Sequence, residues 1–253
     1  MLYQHAAPFA VVTGASSGIG YELARQFAEH GYDLLLVADD VGLLKAAADF
    51  RALGVAVDSI QVDLANRAGV EATWSRIQRA RRPVDAIALN AGVGVSGAFS
   101  ETDIDDEIDL IHLNIVSVVV LAKYVVRDMV RRNEGRILFT TSIVAEFPGP
   151  NMAVYAASRA FVEWFAHALR RELKDTNVTV TTLQPGPTDT RFQERAGMED
   201  TALAQVEKDD PAAVARKGFE ALMAGKERVV AATRRAEAKA AINEDSTTRT
   251  RPT

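Results

Sequence analysis

Thr13-Gly14-Ala15-Ser16-Ser17-Gly18-Ile19-Gly20 is the stretch of this sequence that decides the fold. It follows the apolar run 9–12 and precedes a helical pattern whose inner face carries Leu23, Phe27 and Ala28. Glycines let the backbone turn sharply and approach a pyrophosphate closely, and the start of a helix favours negative charge. Such a loop can also be only a turn, but its position between strand and helix matches a dinucleotide-binding loop. The expected pyrophosphate contacts are Gly14, Ser16, Ser17, Gly18, Ile19 and Gly20.

The rest of the chain alternates short apolar runs with longer helical patterns. This order predicts a Rossmann-like, doubly wound α/β fold in which helices cover both faces of a seven-stranded parallel sheet. Later strands are expected at 33–38, 58–62, 86–90, 136–141, 178–183 and 228–231, and helices near 43–53, 67–80, 104–132, 152–174 and 211–224. We expect a single domain over 1–232 that holds both the cofactor and the substrate site. A polar, flexible tail over 233–253, with a short helix at 236–241, should follow it.

Composition narrows the classes of function. The 253 residues carry a net charge of −5, which argues against a nucleic-acid partner. The chain has no cysteine, so disulfides, thiolate metal sites and a cysteine nucleophile are excluded, and a cytoplasmic location is expected. Its four histidines are scattered, and we predict no metal site. The N-terminus lacks a signal-peptide pattern, and the apolar run 115–126 is too short to span a membrane.

Two acidic residues, Asp39 and Asp40, follow the second predicted strand. An acidic residue about twenty positions after the glycines can accept hydrogen bonds from the adenosine ribose hydroxyls, and it would repel a 2′-phosphate. No lysine or arginine lies beside them, so the sequence favours NAD over NADP, with Asp39 as the ribose contact. The alternative is that both aspartates only cap the next helix.

With its later motifs, the chain resembles the short-chain dehydrogenase/reductase family over residues 8–232. Asp63-Leu64 resembles the family's adenine-contacting pair. Leu89-Asn90-Ala91-Gly92 resembles its Asn-Asn-Ala-Gly motif, with Leu in first place, and Pro185-Gly186-Pro187-Thr188 resembles its nicotinamide-side loop. Asn114, Ser142 and Tyr155 fall at the positions of its catalytic residues. The resemblance implies an oxidoreductase whose further cofactor contacts are Asp63, Leu64, Asn90, Ala91, Gly92, Tyr155, Arg159, Pro185, Gly186 and Thr188.

One position departs from the family pattern, because the motif Tyr-x-x-x-Lys reads Tyr155-Ala156-Ala157-Ser158-Arg159 here. Hydride transfer at an alcohol carbon needs proton transfer at its oxygen, and a phenol with a pKa of about 10 is a poor base at neutral pH. A nearby cation favours the phenolate, and residues four apart share a helix face. Ser142 could orient the substrate oxygen, and the resemblance gives Asn114 a water-holding role. Arg159 keeps the charge but cannot readily lose a proton.

Two functions therefore stay open. The first is a working alcohol/carbonyl oxidoreductase with Tyr155 as general acid/base, and the second is a nucleotide-binding protein whose catalysis Arg159 impairs. An isomerase or epimerase on the same fold is a weaker third option.

For the substrate site and the quaternary state, the sequence predicts only general features. Loops 93–99, 143–150 and 188–210 should roof a pocket for a mainly apolar small molecule with one hydroxyl or carbonyl. The apolar side chains that these loops offer are Val93, Val95, Phe99, Ile143, Val144 and Phe147. A helical stripe around Phe161 and Trp164 fits core packing. By the resemblance, it and the helix near 104–132 could instead form the interface of a homodimer or homotetramer.

Overall fold

The computed structural model describes residues 7–147, 149–198 and 202–247, with the side chains of the last helix described up to residue 242. Within these residues seven strands form: β1 Phe9–Thr13, β2 Asp33–Ala38, β3 Val57–Gln61, β4 Ala86–Leu89, β5 Gly135–Thr140, β6 Val178–Pro185 and β7 Arg228–Ala231. The described α-helices are α1 Gly18–Glu29, α2 Gly42–Arg51, α3 Arg67–Arg79, α4 Ile104–Ile111, α5 Ser117–Arg132, α6 Ala153–Glu172, α7 Phe192–Arg195, α8 Pro211–Met223 and α9 Arg235–Thr247.

The strands form one parallel sheet in the order β3-β2-β1-β4-β5-β6-β7. This confirms the predicted Rossmann-like, doubly wound fold. The strand order reverses beside β1, which pairs with β2 on one side and with β4 on the other. The carboxyl ends of β1 and β4 therefore lie at the topological switch point, where ligands bind in such folds.

Two apolar layers cover the sheet, which explains why the strands have nearly continuous apolar sequences. In β2, Leu34 and Leu36 face the layer that includes Phe27 of α1 and Phe219 of α8. Leu35 and Val37 of the same strand belong to the opposite layer, which includes residues of α3, α5 and α6. The helices on both faces thereby fix the strand ends from which the loops of the switch point emerge.

The predicted helix over 104–132 is one helical run with an interruption. A π-helical turn, His112–Val116, separates α4 from α5. By length and composition alone this 29-residue run could cross a membrane, and it is longer than the apolar stretch 115–126. Leu121, Val125 and Met129 are buried against the sheet, as in the core helix of a globular protein. π-helical turns occur often at functional sites, and Asn114 lies in this one.

The C-terminal segment differs from the expected flexible tail. Arg235–Thr247 forms α9, which is longer than the predicted helix 236–241. Ala238 and Ile242 are buried and join a cluster that includes Leu203 and Met152. Small apolar side chains at helical spacing are thus enough to bind this segment to the domain, although its overall composition is polar. Residues 248–253, the end of the predicted tail, lie outside the described residues.

Candidate active site

The glycine loop between β1 and α1 is shaped for a close ligand. Gly14 and Gly18 adopt positive φ angles of 67° and 58°, which glycine tolerates best. A Cβ atom at Gly20 would overlap the carbonyl oxygen of Gly14. Helix α1 begins without a side-chain cap from Ser17, so its first N–H groups are left for an anion. The loop therefore fits the pyrophosphate of a dinucleotide.

The two aspartates after β2 have different surroundings. Asp40 accepts hydrogen bonds from Ser16 Oγ at 2.6 Å and from the backbone N–H of Gly42 at 2.7 Å. It braces the glycine loop against the start of α2, whose N-cap residue is Val41. The alternative that both aspartates only cap this helix thus fits Asp40 in part and not Asp39. Asp39 is exposed and lies on the wall of the cleft beside the loop. Of the pair, Asp39 is thus the carboxylate that faces the ligand space.

The motifs after β3 and β4 lie on the same cleft. Asp63 accepts a hydrogen bond from the backbone N–H of Ala65 at 2.8 Å and so orders the turn into α3, while Leu64 is buried. Asn90 donates to the carbonyl oxygen of Thr13 at 3.2 Å and accepts from Thr140 Oγ1 at 3.0 Å. Its side chain therefore ties β1, β4 and β5 together at the switch point.

Two hydroxyl groups outside the predicted site residues take part in this network, those of Thr13 and Thr140. Thr13 Oγ1 accepts the backbone N–H groups of Asn90 and Ala91, both at 3.0 Å. These bonds join residues more than seventy positions apart. The only sequence signal was that both threonines stand at the end of an apolar strand, next to a motif.

A single cleft brings together nearly all of the predicted site residues. Its walls include Ser142, Tyr155 and Arg159 together with every predicted cofactor contact: Gly14, Ser16, Ser17, Gly18, Ile19, Gly20, Asp39, Asp63, Leu64, Asn90, Ala91, Gly92, Pro185, Gly186 and Thr188. Asn114 is fully buried behind the cleft wall and is not part of its lining.

The carboxamide of Asn114 is engaged by protein groups. Its Oδ1 accepts the backbone N–H of Val93 at 3.0 Å, and its Nδ2 donates to the carbonyl oxygen of Val93 at 2.9 Å. Nδ2 also donates to Ser158 Oγ at 3.1 Å, and that hydroxyl donates to the carbonyl oxygen of Tyr155 at 2.7 Å. Since both protons on Nδ2 are used, the side chain anchors the loop at Val93 to the helix that carries Tyr155.

Tyr155 and Arg159 lie side by side on α6. Both are buried, and the Arg159 guanidinium carbon is 5.3 Å from the centroid of the Tyr155 ring. Arg159 Nη1 donates to the carbonyl oxygen of Thr140 at 3.3 Å, while its buried Nε has no partner. Among the described residues, no carboxylate forms an ion pair with Arg159. A Cβ atom at Gly92 would overlap Arg159 Nη2, so the glycine makes room for the guanidinium.

The apolar roof is only partly the predicted one. Val93, Ile143 and Val144 line the cleft as predicted. Three residues outside the predicted set also line it: Phe192, Met198 and Leu203. The Phe192 and Tyr155 rings lie 5.4 Å apart. Phe99 is 64% exposed and does not line the cleft, while the Phe147 ring contacts Arg235 and Lys239 of α9. Ser142 lies at the edge of this roof, where its Oγ accepts the backbone N–H of Val144 at 3.3 Å.

Comparison with known proteins identifies this arrangement. The family model for the short chain dehydrogenases matches residues 8–200. The chain belongs to the short-chain dehydrogenase/reductase family. Membership of this family supports a general oxidoreductase activity and a nicotinamide dinucleotide as cofactor.

Individual relatives share the family but differ in length and activity. The very-long-chain 3-oxoacyl-CoA reductase of Mycosarcoma maydis is 33% identical over 184 residues, which make up 70% of this chain and 52% of that protein. The chain thus spans about half the length of this relative. Oxidoreductase UcpA of Salmonella typhimurium is 30% identical over 206 residues, 81% of this chain and 76% of that protein. A short-chain dehydrogenase from Sphingobium yanoikuyae, solved in complex with NADPH, superposes with a TM-score of 0.83 at 32% identity, covering 88% of this chain and 87% of that one.

Proposed function

We propose that the protein transfers a hydride between NAD(H) and a secondary alcohol or carbonyl group of a mainly apolar small molecule. The observation that carries this proposal is the shared cleft. Ser142, Tyr155 and Arg159 line the same space as the glycine loop and the Pro185–Thr188 loop. A substrate oxygen beside Tyr155 would therefore lie next to a cofactor held by these loops.

Tyr155, Ser142 and Arg159 have separate roles in the proposed proton chemistry. The nicotinamide cofactor, when bound, supplies or accepts the hydride. The hydroxyl of Tyr155 gives its proton to the carbonyl oxygen during reduction and takes it back during alcohol oxidation. Ser142 donates a hydrogen bond that orients the same oxygen. Arg159 places a positive charge beside the Tyr155 ring.

The choice of NAD over NADP rests on Asp39. Its exposed carboxylate lies on the cleft wall, where it can accept hydrogen bonds from ribose hydroxyls and repel a 2′-phosphate. The similar structure from S. yanoikuyae holds NADPH, so the family alone does not decide this choice. Titration of the purified protein with NADH and NADPH tests it, and tighter binding of NADPH would refute the role of Asp39.

The apolar substrate follows from the residues near Tyr155. Phe192, Val144 and Met198 surround the site with hydrocarbon, and burial of apolar surface drives the binding of a ligand with matching surface. A screen of secondary alcohols and ketones, followed by the absorbance of the reduced cofactor, tests this proposal. Steady turnover of apolar substrates supports an oxidoreductase of this class.

A second candidate function is nucleotide binding with little turnover. The observation that favours it is Arg159, whose guanidinium makes one long hydrogen bond and cannot readily pass on a proton. Binding of NADH without turnover of any substrate in the same screen would support this candidate. Isomerisation or epimerisation, the weaker third option, would show as product formation without net change in cofactor absorbance.

We further expect a homodimer or homotetramer in the cytoplasm. Trp164 and Phe161 of α6 are 74% and 44% exposed, and Ile104 and Ile108 of α4 are 63% and 41% exposed. Large apolar side chains that face solvent together mark an interaction surface. Light scattering at working concentration tests the oligomer, and a monomer would refute it.

A further inference from the structure

Helix α6 carries a buried carboxylate two turns beyond Tyr155. Glu163 lies on the same helix face as Tyr155 and Arg159 because the three are spaced by four residues. It is only 6% exposed, and its two oxygens accept hydrogen bonds from Thr141 Oγ1 at 2.7 Å and from Thr182 Oγ1 at 2.9 Å. A buried carboxylate is costly unless it is hydrogen-bonded, so these two bonds hold Glu163 in one position.

A histidine fixes Glu163 from the solvent side. His167 Nε2 lies 3.0 Å from Glu163 Oε1, and its Nδ1 lies 2.8 Å from Glu227 Oε1. Both ring nitrogens thus lie within hydrogen-bonding distance of a carboxylate oxygen. Polar side chains in contact therefore run from Thr141, at the cleft, to Glu227 at the surface.

The two threonines connect Glu163 to the strand ends of the active site. Thr141 directly precedes Ser142, and Thr182 lies three residues before Pro185 in the neighbouring strand β6. A single side chain on α6 therefore ties together the ends of the two strands that carry the substrate-orienting serine and the nicotinamide-side loop. In the proposed reaction, the roles of Ser142, Tyr155 and Arg159 do not require Glu163 to contact a ligand.

We propose that Glu163, held by His167, is a positioning residue that sets the place of Ser142 and of the Pro185–Thr188 loop relative to Tyr155. This inference rests on the proposed oxidoreductase function. Hydride transfer needs reacting atoms in near-attack geometry, and a misplacement of about 1 Å can cost about a hundredfold in rate. Loss of the carboxylate removes two hydrogen bonds at once, those that join α6 to Thr141 and to Thr182.

Two variants of Glu163 separate positioning from simple stabilisation. Glu163→Ala should lower kcat about ten- to a hundredfold and weaken NADH affinity far less, because the glycine loop and Asp39 lie on other strands. Glu163→Gln should restore most of kcat. Its carbonyl oxygen can accept from Thr182 and His167, and its amide can donate to Thr141, whose hydroxyl already reaches the Leu183 carbonyl oxygen at 3.2 Å.

A milder variant and a matched control complete the experiment. Thr141→Val removes one hydroxyl only and should lower kcat in the same direction, which keeps the test valid if Glu163→Ala does not fold. Asp33→Asn is the control. Asp33 is also a partly buried carboxylate with two partners, Arg82 Nη1 at 2.6 Å and the Ala56 N–H at 2.9 Å, but it lies at the opposite end of the strands. It should change thermal stability without changing kcat.

The outcomes are distinct from those that test the oxidoreductase function. If the wild type turns over substrate and Glu163→Ala has the same kcat per folded molecule, the positioning role is refuted. Equal impairment of Glu163→Gln and Glu163→Ala also refutes it. If the wild type binds NADH but turns over nothing, the oxidoreductase proposal fails, and the fluorescence of bound NADH takes over as the readout. A nicotinamide emission that changes in Glu163→Ala but not in Glu163→Gln supports positioning, and an unchanged emission in both overturns it.

Discussion

Replacement of Arg159 by methionine is the sharpest test of how the active site works. Methionine has a similar length but no charge, so the change removes the cation beside Tyr155 and leaves most of the packing. The guanidinium carbon is 5.3 Å from the centre of the phenol ring. A side chain positioned for proton transfer contributes about 10²–10⁴ in rate, and the charge beside Tyr155 supplies part of that effect.

We therefore expect Arg159→Met to lower kcat/KM for alcohol oxidation at neutral pH by about one to two orders of magnitude, less than the loss of Tyr155 itself. Arg159→Lys retains the charge and adds a group that can pass on a proton, so its turnover should equal or exceed that of the wild type. Tyr155→Phe should abolish activity in every background while NADH still binds. The assay is the initial rate of NADH formation with the best alcohol from the substrate screen.

Arg170→Met is the matched control for this experiment. Arg170 lies on the same helix and donates to the carbonyl oxygens of Val180 and Gly225 at 2.6 Å and 2.9 Å, away from the cleft. Its loss should affect stability and leave kcat unchanged. If Arg159→Met retains wild-type kcat/KM, the cation does not act on Tyr155 and the electrostatic reasoning is wrong. If Arg159→Lys lowers turnover, arginine is an adapted residue at this position.

Three further predictions follow from single contacts. Asp39→Ala should raise the affinity for NADPH relative to NADH by about fivefold, because it removes an exposed negative charge facing the 2′-phosphate. Fluorescence titration measures this affinity ratio, and an unchanged ratio contradicts the role of Asp39. Gly92→Ala should lower kcat/KM toward the value of Arg159→Met, since the new Cβ would overlap the Arg159 guanidinium; rates equal to the wild type would show that the guanidinium can move at no cost. Trp164→Glu should shift the protein to a smaller species in light scattering, because it places a charge on the exposed apolar face of α6; an unchanged mass would exclude this face as the interface.

Much of the fold could be predicted because its signals are local in the sequence. The apolar runs of β1 and β2 and the glycines between β1 and α1 each specify their own structure within a few residues. The order of these elements then determines the parallel sheet. The grouping of the site residues could also be predicted, because loops at the carboxyl ends of parallel strands meet at one edge of the sheet.

The remaining features depend on contacts between distant parts of the chain. No glycine or proline in the sequence indicates the π-helical turn at Asn114. The partners of the asparagine are Val93, twenty-one residues away, and Ser158, forty-four residues away. Phe192 lines the cleft instead of Phe99 because the loop after β6 folds over Tyr155. Helix α9 packs against the domain through Ala238 and Ile242. The average composition of the segment is polar and does not reveal these two apolar positions.

The incomplete hydrogen bonding of Arg159 indicates that this cleft receives a ligand. A buried guanidinium with one long hydrogen bond, an unpartnered Nε and no paired carboxylate among the described residues is a destabilising arrangement. A protein retains such a group where function requires it. A ligand that offers acceptors in this cleft would complete the hydrogen bonding of Arg159 in both candidate functions. What separates an enzyme from a binding protein is then whether the proton of the Tyr155 hydroxyl can exchange with solvent.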